Sequence, residues 1–240
     1  MSSMKWLLKN VGKELYLQFE APPPFEVYFT TKKIKDIHKA LSLEPYVELE
    51  QIHSKEIVKV ESPFPPRSIS ADGLITSKPG IFLVVRVADC YPMYVVDPEA
   101  MACGVFHVGW KGLKEGIVEN AVDRFKMYFG SLPESLIVIF GPGISADHYE
   151  VGSEFKDYFK NGLFERDSKL YFDIFQAATL KLKKCGVREI YSPPYDTFSN
   201  PDWFHSKRRD KELKDLNRAI VGFRKELSVH TLMEDSPYNI

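Results

Sequence analysis

Runs of apolar residues divide the first half of the chain into short strands. EVYFTT (residues 26–31) is rich in β-branched and aromatic residues, which favours a strand. IFLVVRVAD (81–89) is almost continuously apolar, as is typical of a strand that is covered on both faces. YPMYVVD (91–97) and MACGVFHVGW (101–110) are separated by the turn residues Asp97-Pro98-Glu99 and together predict a β-hairpin.

Helices are indicated where apolar residues recur every three or four positions. In LKEGIVENAVDRFKMYFG (113–130) such a stripe ends at Gly130, which predicts one helix closed by that glycine. The other segments show shorter examples of these two patterns, the apolar run of a strand and the three- or four-residue periodicity of a helix. They predict helices over 36–43 (with Asp36 as N-cap), 153–159, 171–185 and roughly 210–218, and strands over 46–60 (one or two), 136–143, 188–194 and 219–223.

The order of these elements predicts a mixed α/β (α+β) fold. Strands follow one another in the middle of the chain without a regular βαβ alternation, which favours one or two mixed sheets with helices outside. The 240 residues contain no internal repeat and no interdomain linker, so we expect a single domain over 1–240. Neither GxGxxG nor GxxxxGK[ST] occurs, which excludes the two glycine-rich nucleotide loops.

Composition and charge narrow the classes of function. With 32 Lys and Arg against 33 Asp and Glu, the formal net charge is -1, so no general attraction to nucleic acid or to anionic membranes is expected. The first residues, MSSMKWLLKN, lack the apolar core and the small-residue cleavage site of a secretory signal, so none is expected, and no apolar stretch is long enough to span a membrane. Its three cysteines form no CxxC pair, which favours a reducing, cytoplasmic setting.

Two residues near the predicted hairpin carry candidate chemistry. Cys90 lies where the apolar run 81–89 meets Pro92, a residue typical of edge strands and bulges, so Cys90 is expected at the rim of a sheet. His107 precedes a Gly-Trp-Lys-Gly turn at a strand-to-helix junction, where ligand-binding residues often collect. The remaining cysteines, Cys103 and Cys185, are interpreted as structural.

Together with His53, these two residues form a His/Cys/His set. Three such ligands suit zinc with an open fourth position, and thiolate with imidazole favours Zn²⁺ or copper over Mg²⁺ or Ca²⁺. The spacing has none of the short-range signature of a zinc finger. From the residues alone, a metal centre, a Cys90 nucleophile with His107 as base, and two core residues all remain open.

Several short blocks, in a fixed order, carry a resemblance to a known family. ADCYPMYVVD (88–97) and FHVGWKG (106–112) resemble the ADCxP and HxGWRG blocks of the YfiH-like family, which is also called the multicopper polyphenol oxidoreductase (laccase-domain) family. Lys111 replaces the usual arginine of the second block. Further blocks similar to those of the family are EQIHS (50–54), ADGLIT (71–76), GPGISADHYEVG (141–152), FDI (172–174) and WFHSKRRD (203–210).

The resemblance implies a YfiH-like, cysteine-hydrolase-type fold and a zinc-dependent purine nucleoside enzyme, with copper as a possible alternative metal. Its reactions would be phosphorolysis of adenosine, inosine and methylthioadenosine, and deamination of adenosine. The small-molecule partners would be purine nucleosides and phosphate, with no nucleic acid or membrane, and the protein would be a monomer or a small homo-oligomer. The metal ligands implied are His53, Cys90 and His107.

The family blocks also supply the remaining candidate residues. Asp72 and Glu150 are carboxylates suited to acid/base work beside Cys90 and His107, which completes the predicted catalytic set. Basic residues would contact phosphate, and aromatic rings would stack on a purine. These predicted substrate contacts are Lys111, Trp110, Tyr149, Arg208 and Arg209.

Three other functions stay open. A cysteine hydrolase would use Cys90 as nucleophile and His107 as base on an amide such as a peptidoglycan precursor, and a metal on the thiolate would block it. Copper-dependent polyphenol oxidation is poorly supported by one Cys/His₂ set, because the sequence shows no second histidine cluster. A metal-holding interaction protein would turn over no nucleoside.

Overall fold

A computed structural model describes residues 4–213 and 215–224, and the strands in this part of the chain form three sheets. The strands are β1 (Trp6–Val11), β2 (Glu14–Phe19), β3 (Phe25–Thr30), β4 (Tyr46–Glu48), β5 (Ile57–Lys59), β6 (Gly73–Thr76), β7 (Phe82–Val87), β8 (Tyr91–Asp97), β9 (Ala102–Val108), β10 (Ile137–Phe140), β11 (Glu150–Val151), β12 (Leu163–Arg166), β13 (Lys169–Phe172), β14 (Glu189–Tyr191) and β15 (Asn217–Phe223). The α-helices are α1 (Ile37–Leu41), α2 (Trp110–Glu115), α3 (Ile117–Phe129), α4 (Phe155–Tyr158), α5 (Ile174–Lys184) and α6 (Lys207–Asp210).

The two larger sheets are mixed, as the sequence predicts. The first has the strand order β1-β2-β3-β15-β7-β4 and the second β14-β10-β8-β9-β6-β5, while β11, β13 and β12 form a small third sheet. Most neighbours are antiparallel, but β4–β7, β5–β6 and β10–β14 are parallel pairs. The predicted mixed α/β fold is therefore confirmed.

The hydrophobic core lies in layers on both sides of the larger sheets. Leu83 of β7 and Val105 of β9 belong to the core between these two sheets, whereas Phe106 faces the core beneath α2, α3 and α5. Val84 lies on the outer face of the first sheet, in a third cluster covered by α1. Because both faces of these strands are buried, their sequences are almost continuously apolar. None of the helices that the structure describes combines the length and the apolar character that a membrane crossing requires.

The helix predicted over 113–130 is in fact two helices. Gly116 has a φ of 99°, a left-handed conformation that glycine adopts at little cost, and it ends α2 and precedes α3. Gly130, with a φ of 71°, closes α3 as predicted. The prediction failed because the apolar stripe continues across the break, and periodicity does not report backbone handedness.

Other boundaries also differ from the predictions. The helix expected from residue 171 begins at Ile174, because Phe172 still belongs to β13 and the Asp173 carboxylate caps α5 by accepting the Gln176 N–H at 2.7 Å. The helix expected over 210–218 is wrong: α6 ends at Asp210, β15 begins at Asn217, and residue 214 lies outside the described residues. The single domain was predicted over 1–240, and residues 1–3 and 225–240 of that range also lie outside the described residues.

Candidate functional site

The β8–β9 hairpin brings Cys90 and His107 to one end of the second sheet. Its register pairs Tyr91 with Val108 and Pro92 with His107, so that Cys90, just before β8, comes next to Gly109, just after β9. β8 lies between β9 and β10, not at the sheet edge that Pro92 led us to expect. Pro92 is tolerated because it is the second residue of the strand, near the end of the ladder. Cys90 is half-buried and His107 is buried.

Asp72 connects the loop that carries His53 to His107. Its fully buried carboxylate accepts backbone N–H groups from Ile52 at 3.2 Å, His53 at 3.0 Å and Ser54 at 2.6 Å, and the Ser54 hydroxyl at 2.9 Å. It also lies 2.8 Å from Nδ1 of His107. Because one carboxylate holds both segments, it fixes the His53 loop and orients the His107 ring, whose Nε2 is left for another partner.

The three side chains form a group that could hold a metal ion. The ligand atoms of His53, Cys90 and His107 lie within 4.8 Å of one another, and the part of the chain that the structure describes contains no other such group of three or more. The two imidazole rings meet edge to face, with centroids 4.7 Å apart. The group offers two nitrogen ligands and one sulfur ligand, and the Asp72 carboxylate supports one of the two histidines. Zn²⁺ and copper prefer such a donor set.

The charges around these ligands shift the protonation of the two histidines in opposite directions. Burial lowers the pKa of His107, but the Cys90 sulfur and the hydrogen bonds to Asp72 and Cys90 outweigh it and raise the pKa to about 9. Burial opposes ionisation of Asp72, yet hydrogen bonds from His107 and Ser54 hold its pKa below the usual range. Burial and the nearby His107 lower the pKa of His53. A metal ion would therefore have to displace a proton from His107, whereas His53 would be available as a neutral ligand.

Gly109 makes room for this group. A Cβ atom on Gly109 would lie 2.8 Å from Sγ of Cys90 and 3.5 Å from Nδ1 of His53. We expect Gly109→Ala to weaken metal binding by about 10- to 100-fold, the range seen when the surroundings of metal ligands are disturbed. Competition with a chromophoric chelator measures this loss. Gly152→Ala is the matched control, because the atoms nearest its Cβ belong to the flexible Glu154 carboxylate. Equal affinities in the two variants would contradict the role given to Gly109.

A cavity of about 500 Å³ opens beside His53 and Cys90. This volume lies within the range of small-molecule sites. The other side chains that line it are apolar, aromatic or charged. They are Ala88, Ile144 and Ile174; Trp110 and Tyr149; and Lys111, Lys207, Arg208 and Asp89.

Four of the five predicted substrate contacts line this cavity. Trp110 is held by Tyr158, whose ring lies parallel to it at a centroid distance of 5.8 Å. The Arg208 guanidinium lies 5.1 Å from the centre of the Tyr149 ring. Burial raises the pKa of Tyr149, so its hydroxyl keeps its proton at neutral pH. With Lys111, these side chains give the cavity rigid aromatic surfaces next to positive charge.

Arg209, the fifth predicted contact, does not line the cavity. Its guanidinium donates to the carbonyl oxygens of Thr197, Phe198 and Phe204 and pairs with the Asp210 carboxylate. The N–H donors of the guanidinium are therefore engaged within the protein and are not directed at the cavity. Sequence alone does not distinguish the adjacent arginines of KRRD, although Arg208 lines the cavity and Arg209 binds carbonyl oxygens of the neighbouring loop.

The two predicted carboxylates also lie away from the cavity. Glu150 is exposed on β11, where its carboxylate accepts a hydrogen bond from Nζ of Lys169 at 2.8 Å. Asp72 is fully buried behind His107 and is occupied by its five hydrogen bonds. The geometry therefore gives Asp72 a positioning role and gives Glu150 no contact with the candidate site.

Two residues of the site were missed by sequence reasoning. Asp89 has a φ of 85°, and its buried carboxylate accepts the Thr197 hydroxyl at 2.7 Å and the Arg208 N–H at 2.6 Å, which ties α6 to the Cys90 turn. Lys207 lines the main cavity and also a smaller one of about 270 Å³, which shares His53 and Cys90 with it. The sequence did contain a signal for both residues, because Asp89 is adjacent to Cys90 and Lys207 is adjacent to Arg208.

Comparisons with known proteins agree with this arrangement. Residues 30–218 match a family model described as multi-copper polyphenol oxidoreductase laccase. A purine nucleoside phosphorylase of Deinococcus radiodurans is 30% identical over 182 residues, which cover 74% of this chain and 70% of the relative. One of Aquifex aeolicus is 31% identical over 172 residues, with coverages of 71% and 80%. The crystal structure of the hypothetical protein YfiH from Bacillus licheniformis has the same fold, with a TM-score of 0.83, 22% identity, and 90% and 99% of the two chains covered.

Proposed function

This chain belongs to the YfiH-like family of multi-copper polyphenol oxidoreductase laccase proteins, and from that premise we propose that it is a metal-dependent purine nucleoside phosphorylase. The observation that carries the proposal is the His53, Cys90 and His107 group at the wall of a cavity that also has aromatic and cationic surfaces. The relatives named purine nucleoside phosphorylase support it.

His53, Cys90 and His107 would hold the metal, for which we propose zinc, with copper as the alternative that the donor set also accepts. When bound, the ion supplies positive charge that polarises an oxygen in contact with it. Asp72 keeps its hydrogen bond to Nδ1 of His107 and so holds that ring in place. A single centre of this type gives polyphenol oxidation little support, because reduction of oxygen to water needs four electrons.

The aromatic part of the cavity suits a purine base. Tyr149 and Trp110 offer ring faces, and Ile144 and Ile174 add apolar surface that excludes water. Because Trp110 is already packed against Tyr158, little side-chain freedom is lost when a base stacks on it. The protonated Tyr149 hydroxyl is able to donate a hydrogen bond to the nucleoside.

The cationic part of the cavity suits phosphate. Lys111, Lys207 and Arg208 place three positive charges on its wall against one carboxylate, Asp89, which accepts the backbone N–H of Arg208 and so fixes the start of α6. In phosphorolysis a phosphate oxygen forms a bond to the anomeric carbon of ribose while the bond from that carbon to the purine nitrogen breaks. The purine leaves with the bonding electrons and takes up a proton. These side chains would hold the phosphate close to the sugar and balance its charge.

Adenosine deamination is proposed as a second activity of the same cavity. It needs the same base-binding surface, with water in place of phosphate. The specific observation in favour of a cysteine hydrolase is the interaction of Cys90 with His107, which raises the pKa of the imidazole. That activity would need a thiolate free of metal, so metal dependence separates the two mechanisms.

We expect the purified protein to contain about one zinc per chain by elemental analysis. With phosphate it should release purine base from adenosine, inosine or methylthioadenosine, and a chelator should abolish the reaction until zinc is restored. Chromatography of base and sugar phosphate, with and without phosphate, measures this. Inosine formed from adenosine without phosphate would identify deamination. Amide hydrolysis that survives the chelator, with no nucleoside turnover, would refute the proposal in favour of a cysteine hydrolase.

A further inference from the structure

Residues 143–149 form a loop that supplies two side chains, Ile144 and Tyr149, to the wall of the main cavity. Near the start of the loop, the Ile144 N–H donates to the Asp89 carbonyl oxygen at 2.8 Å, and the Tyr91 hydroxyl donates to the Ile144 carbonyl oxygen at 2.7 Å. At its end, the Tyr149 carbonyl oxygen accepts a backbone N–H of β13 at 3.1 Å. The turn between these two anchors is held by a different segment of the chain.

The Asp196 carboxylate spans this turn, which comprises residues 145–148. Its Oδ1 accepts the Ser145 N–H at 2.9 Å, and its Oδ2 lies 2.7 Å from Nδ1 of His148. Burial opposes ionisation of Asp196, but hydrogen bonds from Ser199 and Ser145 outweigh it and hold the pKa below the usual range. The ionised carboxylate only accepts hydrogen bonds, so Nδ1 of His148 carries a proton and is the donor in this contact.

The His148 ring has two further neighbours that fix it. It is stacked on the Phe198 ring, with centroids 4.5 Å apart and planes 22° from parallel, and the Ser145 hydroxyl lies 3.1 Å from its Nδ1. His148 immediately precedes Tyr149, so a fixed His148 also fixes the backbone from which the Tyr149 ring reaches the cavity wall. A side chain that binds a ligand has to be held to within about 0.5 Å by its surroundings.

We propose that His148 and Asp196 are positioning residues that set the affinity of the cavity for the purine base by holding Tyr149. The chemistry of this ligand rests on the proposed function. Neither residue lines the cavity, so both act through Tyr149 and not by touching the nucleoside. The ion pair is partly exposed, with 35% of the His148 side chain and 14% of the Asp196 side chain accessible. Such a pair contributes little to global stability, so its loss should loosen the loop and leave the fold intact.

Steady-state kinetics of the metal-loaded full chain tests this proposal. His148→Phe keeps a ring that stacks on Phe198 but loses the donor to Asp196, whose Oδ2 still accepts the Ser199 N–H at 3.1 Å. We expect KM for inosine to rise by about fivefold, the effect of one lost hydrogen bond. Because the metal ligands lie outside this contact and only binding is weakened, kcat and metal content should stay unchanged.

Conservative and neighbouring variants make this result specific. His148→Asn places an amide N–H₂ where Nδ1 lies and should recover most of the wild-type KM, whereas His148→Gln extends its amide towards the position of Nε2 and should not. Asp147→Ala is the matched control within the same turn, because the Asp147 carboxylate instead pairs with the exposed Arg166 at 2.7 Å. This control should leave KM for inosine unchanged.

Isothermal titration calorimetry with inosine, in the absence of phosphate, gives the affinity of the metal-loaded protein without turnover. In His148→Phe the Kd should rise by the same factor as KM, and Tm should stay close to that of the wild type. Unchanged Kd and KM in His148→Phe, an equal rise in Asp147→Ala, no recovery in His148→Asn, or a loss of metal or of folding would each overturn the positioning role and leave the proposed function intact. A wild type that neither binds nor converts a nucleoside would refute the proposed function, and the positioning role with it.

Discussion

Cys90→Ala is expected to abolish both metal binding and nucleoside turnover. The sulfur is the one non-histidine donor in the group, and without it two imidazoles remain, of which His53 is exposed and carried by a loop. We expect metal affinity to fall by more than about 100-fold, beyond the effect of changing a supporting residue. Elemental analysis after dialysis against a weak chelator gives the metal content, and base release with phosphate gives the activity.

The other two cysteines provide controls for this variant. Cys185 is half-buried at the end of α5, and Cys103 is fully buried between the sheets. Cys185→Ala should keep metal and activity, while Cys103→Ala should keep both at a small cost in stability from the lost core volume. A Cys90→Ala protein that retains its zinc would show that the sulfur is not a ligand. If metal-free wild type stays active and Cys90→Ala is inactive, Cys90 is the nucleophile.

Asp72→Ala is expected to lower the free energy of unfolding by about 3 kcal/mol or more, even without metal. The substitution leaves the N–H groups of Ile52, His53 and Ser54, and Nδ1 of His107, without their shared acceptor. The His53 loop and the His107 ring would then lose their relative positions, so metal affinity should fall as well. Urea denaturation of the metal-free protein isolates the first effect, and chelator competition measures the second.

Two further variants make this prediction specific. Ser54→Ala removes one hydroxyl donor but keeps the backbone contacts, so it should cost about 1 kcal/mol or less. Asp72→Asn keeps the shape but presents an amide N–H₂ to groups that are themselves donors, so it should lie closer to Asp72→Ala than to the wild type. If Asp72→Ala unfolded like the wild type and bound metal normally, the carboxylate would not hold the site together.

Sequence reasoning was most successful where the determinants are local. The hairpin of 91–97 and 101–110 was found because its turn residues lie between two apolar runs, and its register then explains why Cys90 meets Gly109 and lies beside His107. The blocks similar to the family linked these residues to His53, which no spacing rule connects to them. Thus the proximity of His53, Cys90 and His107 was predictable, although the strand carrying Pro92 proved to be internal.

Sequence reasoning failed where orientation or distant contacts decide the role. Glu150 and Arg209 have suitable side chains, but a salt bridge with Lys169 and a set of carbonyl oxygens, respectively, occupy them away from the cavity.

The β8–β9 hairpin has one end at the group formed by His53, Cys90 and His107 and the other end at the turn of residues 98–101. Adjacent side chains of a strand alternate between faces, so a slip of one residue would turn the sulfur of Cys90 away from His107. Extra residues within the turn leave the register untouched. This turn is therefore a suitable place for inserting a tag, grafting a loop or opening the chain by circular permutation, whereas the opposite end of the same hairpin allows no change of length.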